Sequence, residues 1–187
     1  MARPDGPTAD VSVRVAWADD AAAVAAVQVR AWARDLAGRV AADDLPDAES
    51  VAAAWHRSLT ASGDARNRVL VALERARVVG FAVTVPAADP DCDPVADGEL
   101  AELVVAPDET GRGHGSRLLQ AAADTLAADR FTRAVHWVAA DDDARRAFLQ
   151  GAGWAPDTAH RELDLGAAGG ATLRQVRLHT ALGDPAA

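Results

Sequence analysis

The stretch from Leu103 to Leu119 constrains this chain more than any other. A short apolar run, Leu103-Val104-Val105-Ala106, stops at Pro107. A turn of alternating glycines follows, Gly111-Arg112-Gly113-His114-Gly115, and an amphipathic helical pattern then runs through Ser116, Leu118 and Leu119. Strand, glycine turn and helix start in direct succession make a place for an anion. Glycine lets backbone N–H groups face a ligand with no Cβ in the way, and the unpaired N–H groups and dipole of a helix N-terminus favour negative charge. Two well-known phosphate loops do not fit. A loop ending in Gly-Lys-Ser/Thr needs a lysine, and the chain has none. A G-x-G-x-x-G fingerprint begun at Gly111 meets Ser116 at its sixth position, and it would normally occupy the first strand–helix turn.

The rest of the chain supplies a setting for that turn. Val11, Val13 and Val15 alternate as in a half-buried strand. Asp19 and Asp20 mark a helix start, after which Val24, Val27 and Ala31 form one stripe with Val29, Trp32 and Leu36 beside it. Asp47 to Thr60 reads as a second helix, with Val51, Trp55 and Leu59 on one face. Two strands, Val69–Leu73 and Val78–Val85, make a hairpin. A loop rich in Pro and Asp, Pro86 to Gly98, leads to the strand Glu99–Ala106. After the glycine turn, Leu118, Leu119, Ala122 and Leu126 share a helix face. A strand at Val135–Ala139 follows, then a helix from Asp142 to Gly151 capped by Asp141. Closing strands are expected at Glu162–Leu165 and Thr172–Thr180, with Gly166–Gly170 the turn between them.

The order β-α-α-β-β-β-α-β-α-β-β predicts an α/β (α+β) domain: a mixed sheet with helices on both faces. Residues 1–10 are expected to be a flexible leader, 11–182 a single domain and 183–187 a tail. The leader lacks the apolar core of a signal peptide, and no run approaches the roughly 20 apolar residues that span a bilayer, so the expected location is cytoplasmic. Lys, Ile and Tyr are absent and Asn67 is the only Asn. Those residues have AT-rich codons, which suggests a bacterial source with a GC-rich genome. A net charge of −9 argues against nucleic acid and anionic membranes as partners. Cys92 is the only cysteine, so no internal disulfide can form. No His/Cys/Asp spacing makes a metal site.

Val105-x-Pro107, then Gly111-Arg112-Gly113-His114-Gly115, then Leu118-Leu119 resembles the acetyl-CoA loop of the GNAT N-acetyltransferase superfamily. That loop reads Gln/Arg-x-x-Gly-x-Gly/Ala; Gly113 and Gly115 match its last two glycines, and Thr110 departs from its first residue. A second stretch, Asp142 to Trp154, resembles the family's later motif: Phe148 matches its Phe and Gly153-Trp154 its closing Gly-aromatic pair. Trp32, Leu36 and Leu45-Pro46 resemble the opening helices of many members. The likeness covers about residues 11–180. It implies a mostly antiparallel central sheet, splayed at the cofactor strand.

The resemblance implies an acetyl-CoA-dependent N-acetyltransferase, in which a primary amine of a small molecule or a protein attacks the thioester directly. Pyrophosphate would lie on the N–H groups of Gly111, Arg112, Gly113, His114, Gly115 and Ser116, with the Arg112 guanidinium adding a phosphate contact. Pantetheine would pair with the backbone of Leu103, Val104 and Val105, Asp142 would accept from its amide, and Phe148 would belong to the same site. Glu102 is the expected general base, since burial in an apolar run would raise its pKa. Glu99, three positions earlier, is the understudy and is expected on the opposite face. The family's acid is often a Tyr at the position of Leu149, which leaves water, His136 or His160 to serve. Asp89, Asp91, Asp93, Asp97 and Glu99 are expected to border the acceptor entrance and attract a cationic amine. Cys92, among them, should have a raised pKa. The alternative function is an acyl-CoA-binding regulatory module with little catalysis; a homodimer is left open.

Overall fold

The computed structural model describes residues 11–166 and 170–183. The expected leader, residues 184–187 of the tail and residues 167–169 of the closing turn lie outside them. The elements, in chain order, are β1 (Val11–Val15), α1 (Ala21–Asp35), α2 (Ala48–Thr60), β2 (Arg68–Glu74), β3 (Arg77–Pro86), β4 (Asp97–Val105), α3 (His114–Ala128), β5 (Arg133–Ala139), α4 (Asp143–Gly151), β6 (Ala155–Asp164) and β7 (Thr172–Ala181). The succession is the one the hydrophobic periods predict.

The seven strands form one sheet in the order β1-β2-β3-β4-β5-β7-β6. Every neighbouring pair is antiparallel except β4–β5, which is parallel. On one face α3 packs Leu118, Leu119 and Leu126 against Leu70, Leu100 and Leu103. On the other, Val24, Val27 and Ala31 of α1 meet Val71, Phe81 and Val104. Leu118 and Leu126 are almost fully buried, each side chain stabilising the fold by about 1.5–3 kcal/mol. Asp47 caps α2 by accepting from the Ser50 N–H at 2.9 Å. Trp55 of α2 packs edge-on to Phe81 and donates to Gln28 of α1 at 2.6 Å.

Three local expectations change. Asp142, not Asp141, caps α4, accepting from the Arg145 N–H at 2.9 Å; Asp141 instead pairs with Arg39. Strand β6 begins at Ala155, seven residues earlier than expected. Its first residues pair with β7, but the register shifts between Pro156 and His160, where Thr158 takes φ +73° and breaks the alternation that sequence reading relies on. Val15 is 51% exposed despite its alternating position, because β1 is an edge strand.

Candidate active site

Strand β4 carries the site, and a bulge makes it. Val83 pairs with Glu102 but Thr84 pairs with Leu100, so Ala101 is an extra residue on β4. One added residue resets the two-residue side-chain period. Leu100 and Leu103 consequently both point into the α3 core. Glu99 and Glu102 share the opposite face, close enough for the Glu99 charge to act on Glu102. The expectation that they face opposite ways is therefore corrected: it holds for a regular strand, and this one is not regular.

Beside the bulge, β4 leaves its parallel neighbour. The β4–β5 ladder ends at Glu99–Val135, whereas β3 stays paired with β4 as far as Val105. The Ala106 N–H donates to Val79 O at 2.9 Å, and the Val104 carbonyl lies against Gly80. Backbone groups alternate along an antiparallel strand, so those of Leu103 and Val105 face the gap. Both residues line a cavity of about 580 Å³ with Gly111, Gly113, Gly115, Ser116 and Phe148. Val104 differs from its two neighbours: its carbonyl faces β3 and its side chain belongs to the α1 core.

The glycine turn closes that cavity. Gly111 and Gly113 take φ +75° and +83°, in the left-handed region where a side chain is strained. Gly113 is the N-terminal cap of α3, so the first helical N–H groups start at the cavity wall. The Arg112 side chain is already engaged: it pairs with Glu74 at 2.6 Å and with Glu109. The expected guanidinium–phosphate contact thus meets two carboxylates that already hold the group. The ring of His114 is buried, with no hydrogen-bond partner for either nitrogen among the described residues. Asp142 caps α4 and lies 3.4 Å from the Arg145 guanidinium.

Glu102 opens to a second cavity, of about 550 Å³, walled by Trp32 of α1, Leu36 just past its end, Trp137 of β5 and Leu163 and Leu173 of the last hairpin. Arg34 and Arg145 line both cavities. The Glu102 carboxyl is pushed up chiefly by burial; Arg145 opposes the shift and Glu99 adds to it. Glu99 is raised in the same sense by burial and then by Asp89. A carboxylate facing a cavity with a raised pKa can take a proton from a bound ligand.

The residues considered as acids are placed otherwise. Leu149 is fully buried in the core. His136 is buried where β4 and β5 part, and its Nδ1 contacts the Leu100 carbonyl at 2.5 Å. Desolvation lowers its pKa to about 4, so it is a neutral ring at pH 7 and not a proton source. His160 is exposed and does not line either cavity.

The acidic loop is also turned to another use. The Arg177 side chain, 4% exposed, pairs with Asp89 at 3.1 Å, Asp157 at 2.8 Å and Asp91. Arg133 takes Asp97 at 2.9 Å. Asp93 caps its own turn through the Val95 N–H at 2.9 Å. Of the five carboxylates expected to attract a cationic amine, guanidinium groups hold Asp89, Asp91 and Asp97 and the Val95 N–H engages Asp93. The expectation is therefore corrected for the loop, and Glu99 alone keeps a carboxyl without such a partner among the described residues. Cys92 sits between Arg133 and Arg177; its pKa is raised, by burial first. Among the described residues two clusters have metal-ligand composition, Asp89/Asp91/Cys92 and Glu74/Glu109/His114. The first surrounds Arg177 and the second is held by Arg77 and Arg112, so a cation would have to displace an arginine at either.

Sequence reading missed Arg161. Its Nε donates to Gln175 Oε1 at 2.8 Å and its guanidinium lies 4.3 Å from the Trp137 ring centroid, in the wall of the Glu102 cavity. A lone Arg in a strand gives no local signal of such a position.

The acetyltransferase (GNAT) family model matches residues 26–154. Among solved structures, the chain is similar to yncA from Salmonella typhimurium, solved with its cofactor acetyl-CoA (22% identity, 96% of this chain and 98% of that one, TM-score 0.67). It is also similar to the ribosomal-protein-alanine N-acetyltransferase from Brucella melitensis (22% identity, 91% and 99%, TM-score 0.70). A third is an N-acetyltransferase from Staphylococcus aureus Mu50 (18% identity, 94% and 100%, TM-score 0.70). No curated protein matches. Among the described residues no helix is long and apolar enough to cross a membrane.

Proposed function

The chain belongs to the GNAT acetyltransferase family, and on that footing we propose that it transfers an acetyl group from acetyl-CoA to an amine, with Glu102 as the general base. The observation that carries the reading is the bulge at Ala101. It turns the backbone edge of Leu103 and Val105 toward one cavity and the Glu102 carboxylate toward an adjoining one.

The residues present fit the cofactor. The N–H groups from Gly111 to Ser116, at the start of α3, suit a pyrophosphate. The open edges of Leu103 and Val105 suit an amide-bearing arm, which pairs as an added strand would. Phe148 contributes an apolar wall. Acetyl-CoA, when bound, supplies the acetyl group as a thioester. Glu102 accepts the proton that the acceptor's ammonium must lose before its nitrogen has a lone pair. Burial raises the carboxyl toward neutral pH, which strengthens it as a base. Arg145 opposes that rise, in the direction that favours the ionised form. The residues considered for the acid role do not supply one: Leu149 is apolar and buried, and His136 is a neutral ring. That same lack favours a second reading, in which the chain binds acyl-CoA without turning it over.

Calorimetry with acetyl-CoA and a thiol-release assay over a panel of amines separate the two readings. Binding with thiol release supports the transferase. Binding with no release from any amine leaves only the binding module. Glu102→Gln should lower kcat about 10²- to 10⁴-fold with little change in acetyl-CoA affinity. Because the base must be ionised and its pKa is raised, the rising limb of the wild-type rate against pH should lie above the ordinary carboxylate range. The variant should lose that limb. An unchanged rate in the variant removes Glu102 from the base role.

A further inference from the structure

The charges lining the Glu102 cavity do not all pair off. Arg34 holds Asp35 at 2.6 Å, Arg39 holds Asp141, and Arg145 lies 3.4 Å from Asp142 and 3.6 Å from Asp35. Those contacts use three of the four carboxylates and three of the four guanidinium groups in the wall. One of each remains: Glu102 on β4 and Arg161 on β6. They do not neutralise each other, since the charges acting on Glu102 are those of Arg145 and Glu99.

Arg161 is held as a binding group is held. Stacking on Trp137 fixes the plane of its guanidinium, and Gln175 engages Nε. Both Nη groups are left without a hydrogen-bond partner among the described residues. Glu99 lies near enough to feel its charge, yet no carboxylate among the described residues is within ion-pair distance of Arg161. The Glu99 carboxyl is raised, the reverse of what a close guanidinium would do. A planar fork with two free N–H edges matches a carboxylate in bidentate geometry. The aliphatic wall of Leu36, Leu163 and Leu173 lies around it, and a cavity of about 550 Å³ suits a small molecule.

We infer that the acceptor is a small amine bearing a carboxylate, an amino-acid-like molecule whose amine meets Glu102 and whose carboxylate is bound by Arg161. The inference rests on the acetyltransferase reading and names the substrate class for that same site. It also reverses the polarity that the acidic loop suggests in the sequence. The anion receptor is a specificity residue, and Asp89, Asp91 and Asp97 of the loop are spent on Arg177 and Arg133.

The test is thiol release from acetyl-CoA with the free L-amino acids and β- and γ-amino acids, each beside its carboxamide, together with polyamines and short peptides. The expected result is turnover of a carboxylate-bearing member at a kcat/KM about 10- to 100-fold above that of its carboxamide. Arg161→Gln should raise KM for that acid by a similar factor, and leave the carboxamide and acetyl-CoA KM values within about threefold. Arg161→Lys, which keeps the charge and loses the fork, should fall between. Equal turnover of acid and carboxamide, or equal loss of both in Arg161→Gln, overturns the inference. So does turnover of polyamines or peptides alone, though the transferase reading then stands. Acetyl-CoA binding with no thiol release from any member overturns both.

Discussion

The glycine turn and the acidic loop both flank β4, and they meet charge in opposite ways. From Gly111 to Ser116 the chain offers backbone N–H groups at the start of α3, a binding surface formed within a few residues of sequence. From Asp89 to Asp97 it offers four carboxylates, and the structure gives three of them, Asp89, Asp91 and Asp97, to Arg177 and Arg133. The first region is made by conformation, the second by side chains from distant strands. A cluster of like charge therefore says little about function until its partners are known. A run of glycines that must adopt φ above zero carries its consequence with it.

The largest effect is expected where the acidic loop is held. Arg177→Met should destabilise the fold by about 3 kcal/mol, because it strands the poorly exposed Asp89 and Asp157 beside one another. The midpoint of urea unfolding measures this. The pH dependence follows from Asp91, whose pKa is lowered to about 2, first by its hydrogen bonds to Arg177. A depressed carboxyl contributes stability above its unfolded pKa and loses it as pH falls toward the folded value. Wild type should thus lose stability on acidification from the ordinary carboxylate range to about pH 2, and the gap to Arg177→Met should narrow. Acetyl-CoA affinity should stay unchanged in the variant. A large loss of affinity would mean that the two regions are coupled, and the contrast between them would fail.

At the glycine turn the expected effect is smaller and of another kind. Gly113→Ala forces a Cβ into a residue at φ +83°, at a cost of about 1–2 kcal/mol. The atom the new Cβ would meet, Arg117 Nη1 at 3.0 Å, is a flexible tip that can move aside. The loss should therefore be conformational, visible in thermal unfolding, with a rise of a few-fold in KM for acetyl-CoA and none for the acceptor. No loss of stability would show that the turn does not depend on the left-handed cap.

These differences follow how much of the molecule was legible in its sequence. The order of strands and helices could be read from periods of two and 3.6, and the glycine turn from its residue types, because both are local. The bulge was not legible: Ala101 is neither Gly nor Pro, and the register against β3 is a property of two strands. Missing it put Glu99 on the wrong face. The pairing of Arg177 with Asp91 spans 86 residues, that of Arg112 with Glu74 spans 38, and nothing near either residue announces it. Arg161 escaped notice for the same reason, since its meaning depends on Trp137 and on the four ion pairs made by its neighbours.

Arg112 is where the two modes of holding charge meet, for it lies inside the glycine turn yet spends its side chain as the acidic loop's partners do. Its guanidinium is half exposed and pairs with Glu74 and Glu109. Glu109 is buried and keeps Arg77 at 2.5 Å when Arg112 is removed, so no carboxylate is left without a cation. Arg112→Gln should accordingly cost no more than about 1 kcal/mol. If the turn binds through its backbone, acetyl-CoA KM should also change by less than about threefold, at low and at high salt alike. A tenfold rise that shrinks with salt would show that Arg112 leaves its carboxylates for a phosphate, and the turn would then recognise its ligand with a side chain as well as with backbone.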